Sequence, residues 1–359
     1  MPNLERRIVS VDALRGVAAL AVVFWHWQHF WPRGAVTDDL LPLFTLFWPL
    51  YKYGYLGVDL FFCISGFVFF TIYADQAASG AVSAVRFAIL RFSRLYPLHF
   101  VTLIAVAVLQ SIYHASQSQF FVYTENTPAY FLLQLFLASN WLSSRGSFNG
   151  PIWSVSIEAL LYVSFFCVAK FRLTHPFFLA ALSIAGFLLM DSNGFLGRGL
   201  FSFYLGCLCA ITVRQLSTVR SLSLVAIVAL AAVPCFAWLW DRQALAFAPV
   251  DALMVVIVFP VLVIVLALAD DALRPVTRRL RWLGDISYSS YLLHFPLQLA
   301  VVTWLAWTGL EIDFRSPLTL AAFFVSLILL SLLCYRTFER PAMQWLRVKL
   351  QRLPVTQAA

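Results

Sequence analysis

Apolar residues in this chain fall in long unbroken runs, separated by short polar and basic stretches. They show neither the alternation of a half-buried strand nor the narrow stripe of a soluble amphipathic helix. The runs lie near 11–30, 54–74, 95–114, 152–169, 176–190, 196–213, 222–240, 250–268, 286–307 and 317–335. A helix of about 20 residues crosses the roughly 30 Å hydrocarbon layer, and only 176–190 is short enough to need flanking residues. The pattern predicts an all-α, polytopic integral-membrane bundle of about ten transmembrane helices. A further stretch, 129–142, is shorter and carries Gln134, Ser139 and Asn140. Such a length suits a re-entrant or interfacial helix rather than a span.

Composition excludes the soluble alternatives. Of 359 residues, 62% are hydrophobic and 12% charged, about half the charged fraction of a soluble domain. The net charge of +8 raises the question of nucleic acid, but no basic helix or aromatic-basic RNA motif accompanies it, so no nucleic-acid partner is expected. The positive residues flank the spans instead. With a cytoplasmic N-terminus and a non-crossing 129–142 segment, 19 of the 25 Lys and Arg fall inside and 6 outside. If that segment crossed, the bias would reverse. The positive-inside rule therefore predicts ten spans with both termini cytoplasmic, and a multi-pass protein of the cytoplasmic (inner) membrane. The first span begins without a small-residue cleavage site and is expected to be retained. Without internal repeats or linkers, residues 1–342 read as one transmembrane domain and 343–359 as a short basic cytoplasmic tail. Cys63, Cys167, Cys207, Cys209, Cys235 and Cys334 lie in apolar runs with no zinc or redox spacing, so no metal is expected.

Ionisable residues inside spans mark function by default. Arg15 and His26 are eleven residues apart, which puts them about 20° from eclipsed on one helix face and ~16 Å apart along its axis. A snorkelling arginine and a hydrogen-bonded packing histidine are the plainer alternative. Asp59 and Glu158 belong to other spans at a depth similar to His26, and Ser154, Glu158 and Tyr162 share a helix face. If the three ionisable groups converge, a carboxylate can orient the imidazole as a general base requires. A structural carboxylate would need a basic partner, and no lysine lies in any span. Arg91 and Arg94 occupy one turn before Pro97 and form, with Arg15, a basic rim. Such a rim is either ordinary positive-inside charge or an anchor for phosphate, which guanidinium forks suit. A stripe of Ser287, Tyr288, Ser290, Tyr291 and His294 ends at Pro296, and hydroxyl-bridged helix contact is its simplest explanation.

Six motifs in order resemble the membrane acyltransferase 3 family. They are Arg15 and His26 with ten residues between them; Gly57-Val-Asp59-Leu-Phe-Phe with Ser65-Gly66-Phe67; Arg91-x-x-Arg94-x-x-Pro97; Trp153-Ser154-Val-Ser156-Ile-Glu158; Ser287-Tyr288-x-x-Tyr291-Leu-x-His294; and Phe338-Glu339-Arg340-Pro341. The resemblance spans residues 9–342. It implies an acetyl-CoA-dependent O-acetyltransferase with acyl-CoA as co-substrate and no permanently bound cofactor. The implied acceptor is a hydroxyl of a carbohydrate or glycolipid, such as O-antigen, lipopolysaccharide or exopolysaccharide. On this reading His26 is general base or acyl carrier, and Asp59 and Glu158 orient it or the acceptor. Arg15, Arg91 and Arg94 grip the CoA phosphates. Trp153, Ser154, Ser156, Ser65, Tyr288, Tyr291, His294 and Arg198 support the site or bind acceptor. Some relatives carry a fused extracytoplasmic esterase-like domain, which this sequence is expected to lack. A secondary transporter would show paired broken-helix repeats, which are absent here; a non-catalytic subunit for polysaccharide export is the other rival.

Overall fold

A computed structural model describes residues 8–32, 34–142, 145–216 and 247–351, and these contain helices and no strand. In order they are α1 (Val9–His26), α2 (Phe44–Tyr53), α3 (Gly57–Ala78), α4 (Ala84–Gln117), α5 (Pro128–Leu135), α6 (Ile152–Lys170), α7 (Pro176–Leu189) and α8 (Gly194–Leu216). They continue as α9 (Phe247–Leu253), α10 (Phe259–Leu268), α11 (Asp270–Thr308), α12 (Pro317–Cys334) and α13 (Arg340–Gln351). Helix starts follow local chemistry. Thr127, His175 and Ser316 cap α5, α7 and α12 with their side chains, and each precedes a proline that needs no intrahelical N–H donor. Gly309, at φ +68°, ends α11.

Seven helical stretches are long and apolar enough to cross a membrane: Val9–Phe30, Phe44–Ala78, Ala84–Gln117, Ile152–Lys170, Gly194–Leu216, Val250–Leu268 and Pro317–Leu350. Helix α7 is apolar but has 14 residues. The 222–240 stretch lies outside the described residues. The predicted 286–307 span is the second half of α11, which is not among the seven. That half holds Ser287, Ser289, Ser290, His294 and Gln298, all buried, so its polarity faces protein rather than lipid. The outward surface carries Val108, Phe187, Leu188 and Leu329, each more than half exposed.

Several elements are longer than the hydropathy runs. Helix α4 begins eleven residues before the predicted 95–114 span, so Arg86 as well as Arg91 and Arg94 lies on its first turns. Helix α2 extends the predicted 54–74 span at its start. The expected basic tail begins as helix α13, which packs on α4, where Arg347 Nε donates to Ser93 Oγ at 3.2 Å. The 129–142 stretch contains α5, whose eight residues are about 12 Å long and too short to cross. Gln134 Nε2 donates to Ser147 O at 2.6 Å, and the Asn140 N–H to Ser156 Oγ at 3.2 Å.

Two close crossings set the frame. A Cβ on Gly66 would lie 1.8 Å from Phe203 O, and one on Gly206 would lie 1.9 Å from Cys63 O, so α3 and α8 meet backbone to backbone. Helices α1 and α11 meet in the same way where Gly16 faces Leu283 and Gly284 faces the Asp12 carbonyl. Small residues permit such approach where lipid offers no hydrophobic driving force. The second crossing brings the Arg15–His26 face of α1 onto the polar ladder of α11.

Candidate active site

At the N-terminal end of α1 a cavity of about 510 Å³ is lined by Arg15, Arg91, Arg94 and Arg347, with Asp12 and Asp285. Each guanidinium is held by neighbours. Arg15 pairs with Asp12 at 3.2 Å and donates to Ser287 Oγ and Gly284 O at 3.1 and 3.0 Å. Arg91 donates to Tyr73 Oη at 2.5 Å and lies over the Phe69 and Tyr73 rings. Arg94 pairs with Glu339, which also accepts from Ser289, and lies over the Tyr288 ring. Side chains fixed this way present a preorganised positive surface, and little entropy remains to be lost on binding an anion.

A narrower cavity of about 150 Å³ continues inward and shares Arg15, Arg91 and Arg94 with the first. Here Ser65 Oγ and Tyr162 Oη both donate to Glu158 Oε1, at 2.7 and 2.5 Å. Tyr288 Oη donates to Leu95 O at 2.6 Å. Tyr291 Oη and Ser154 Oγ are 2.8 Å apart.

At the other end of α1, a cavity of about 560 Å³ is lined by His26, Arg198, Trp25, Tyr55, Tyr123 and Trp153 among others. His26 Nδ1 lies 2.8 Å from the Val22 carbonyl. A carbonyl only accepts, so Nδ1 carries the proton and Nε2 is left as the basic nitrogen. The His26 ring centroid is 4.7 Å from that of His29 and 4.7 Å from that of His294. Gln298 ties the group together, donating to His26 O at 2.9 Å and facing His29 Nδ1 at 3.3 Å. His294 is fully buried and neither ring nitrogen meets hydrogen-bond geometry. Among the described residues, no group of His, Cys, Asp and Glu could hold a metal ion.

Most of the expected residues line one of the three cavities, while Asp59, Ser156 and His294 lie outside the linings. His26, Asp59 and Glu158 do not converge. Asp59 binds the Arg198 guanidinium, with Nε to Oδ1 at 3.2 Å, and accepts from Ser202. Its basic partner is therefore an arginine of α8, which a search for intramembrane lysines overlooks. Glu158 faces the central cavity, and backbone rather than carboxylate orients His26. Arg198 is already paired and reaches the His26 cavity over the Trp153 and Tyr55 rings. Ser156 lines none of the three cavities; it anchors the segment after α5, accepting from Asn140 and, through its carbonyl, from Trp141 Nε1. His294, in contrast, touches the His26 ring. Glu339, Arg347, His29 and Tyr123 were not singled out as site residues. Glu339 had a signal in the Phe338-Glu339-Arg340-Pro341 motif, and His29 in its place one turn after His26.

Helices suited to lipid thus enclose a basic cavity, a narrow centre and an imidazole-lined cavity, the arrangement of a multi-pass membrane protein with polar chambers inside its bundle. The chain belongs to the Acyl_transf_3 acyltransferase domain family, whose model matches residues 8–336. It is 33% identical over 171 residues to acyltransferase MdmB of Streptomyces mycarofaciens, covering 46% of this chain and 40% of that protein. It is 24% identical to peptidoglycan O-acetyltransferase OatA of Listeria monocytogenes, covering 94% of this chain and 56% of that protein. A putative peptidoglycan O-acetyltransferase of Bacillus subtilis, YrhL, is 26% identical over 171 residues, covering 44% of this chain and 23% of that protein. The chain thus spans about half or less of the lengths of these relatives. No solved structure matches it.

Proposed function

We propose that the protein is an O-acyltransferase of the bacterial cytoplasmic membrane, moving an acetyl group from acetyl-CoA to a hydroxyl of an extracytoplasmic or lipid-linked carbohydrate. One observation carries the reading. A basic cavity and a histidine-lined cavity lie at opposite ends of α1, and a narrow cavity containing Arg15, Arg91 and Arg94 lies between them. Donor phosphates suit the guanidinium forks, and the long pantetheine arm suits the narrow centre. The names of two relatives favour a glycan acceptor. Ten spans follow if α7, α11 and the 222–240 stretch join the seven long apolar helices, and the charge split then places both termini in the cytoplasm.

In the proposed reaction His26 Nε2 takes the proton of the acceptor hydroxyl as its oxygen bonds to the thioester carbonyl carbon. The carbon–sulfur bond then breaks, and the CoA thiolate leaves with that proton. Nδ1–H, held on Val22 O, stabilises the imidazolium formed in between, the role a carboxylate plays in other base sites.

Release of CoA thiol from acetyl-CoA by membranes containing the protein tests this reading. His26→Gln keeps volume and a hydrogen bond but no base. It is expected to lower release roughly 10²–10⁴-fold while CoA binding persists. Near-normal release would make His26 a packing residue. No acetyl-CoA-dependent release from the wild type would end the acyltransferase reading.

A further inference from the structure

The N-terminal turn of α6 separates two cavities. Gly150 and Trp153 line the His26 cavity, Ser154 and Val155 line the central one, and the two linings share no residue. Tyr291 of α11 lies across this turn. Its hydroxyl is 2.8 Å from Ser154 Oγ and 3.1 Å from the Pro151 carbonyl, and Ser154 Oγ also reaches that carbonyl at 3.2 Å. The Tyr291 ring packs on Phe61 at 5.5 Å and on His294 at 5.9 Å, and His294 touches His26. The latch thus links the lining of the central cavity, which holds the arginines, to the α6 turn that carries Trp153 of the His26 cavity.

We propose that Tyr291, latched to Ser154 and Pro151, is a specificity-determining gate that directs the acyl group to the acceptor hydroxyl rather than to water. The inference rests on the acyltransferase reading. The hazard it answers is chemical. A base that activates a sugar hydroxyl also activates water: water's oxygen bonds to the thioester carbon, the carbon–sulfur bond breaks, and acetate, CoA thiol and a proton result. Excluding water until the acceptor is seated is the remedy. The large polar His26 cavity has room for water, whereas the central cavity is small and partly walled by Phe61, Phe62, Leu95 and Val155. The same α6 turn supplies the opening signal. Trp153, stacked on Phe195 at 4.2 Å, forms part of the acceptor-side wall, so a sugar pressing on it acts on the turn that carries Pro151 and Ser154. Hydroxyl bonds suit a gate, because each shifts an equilibrium by only about three- to tenfold.

The test uses membrane vesicles carrying the full-length protein and acetyl-CoA labelled in the acetyl group. Label is divided between free acetate and membrane-bound ester. Tyr291→Phe keeps the ring contacts and loses the hydroxyl. It is expected to raise the acetate-to-ester ratio by at least about three- to tenfold. Ser154→Ala leaves the Tyr291–Pro151 bond and should raise the ratio less. An unchanged ratio in both variants, or both products falling in parallel, would overturn the gate and leave Tyr291 a packing residue. Wild-type vesicles that yield neither product would overturn the acyltransferase reading itself, and the gate with it.

Discussion

The cavities at the two ends of α1 use arginine in opposite ways. At the basic end four arginines line the cavity against two aspartates, and with Glu339 behind Arg94 the cations still outnumber the carboxylates. At the His26 end Arg198 is matched by Asp59 and Arg145 by Glu125, at 2.9 Å in the second pair. An excess of fixed positive charge in a confined space draws an anion, whereas matched pairs leave a cavity with little net charge, suited to a neutral polyhydroxyl ligand. The same residue type therefore leaves an excess of positive charge at one end and a balanced pair at the other. The charge balance of the cavity, rather than residue identity, tells them apart.

Breaking the architectural pair gives the largest expected effect on stability. Asp59 is buried, with its partner three-quarters buried, and removing one member of such a pair typically costs about 3–5 kcal/mol. Arg198→Ala should lower the thermal midpoint of the purified protein strongly, and Arg198→Gln with Asp59→Asn should recover much of the loss. Equal destabilisation in the single and double variants would deny the pair its structural role. At the basic end the loss should appear in donor binding, joined for Arg94→Ala by a loss of stability because buried Glu339 is left unpaired. Arg91→Ala and Arg94→Ala should raise the KM for acetyl-CoA roughly ten- to hundredfold, since a charge-assisted contact contributes about 1.5–3 kcal/mol. Unchanged donor kinetics in both would reduce them to topology signals. Arg145→Ala, which opens an exposed pair, should change the thermal midpoint by less than about 1 kcal/mol equivalent and leave donor KM untouched. A shift comparable to that of Arg198→Ala would remove the distinction between matched pairs at the surface and in the bundle.

The local chemistry was legible in the sequence, and the long-range partners were not. The eleven-residue step from Arg15 to His26 fixes a shared helix face whatever the fold, and α1 keeps it. Arg91 and Arg94 reach the same cavity as Arg15 as their motif suggested. The convergence expected of His26, Asp59 and Glu158 fails for a physical reason: depth along a span says nothing about which helices are neighbours. Asp59 and Glu158 face α8 and the α3–α6 interface, whereas His294 meets His26 because Gly16 and Gly284 let α1 and α11 close together. Hydropathy also misjudged lengths. It cannot see that α4 runs on through its arginines, or that α11 is one 39-residue helix with a buried polar ladder.

The central claim is that donor and acceptor approach from opposite sides of the membrane. Vesicles of both orientations, supplied with labelled acetyl-CoA on the outside only, test it most directly. The account predicts ester formation in inside-out vesicles, where the basic cavity faces the medium, and none above background in right-side-out ones. Equal labelling in both orientations, or labelling confined to right-side-out vesicles, would contradict it.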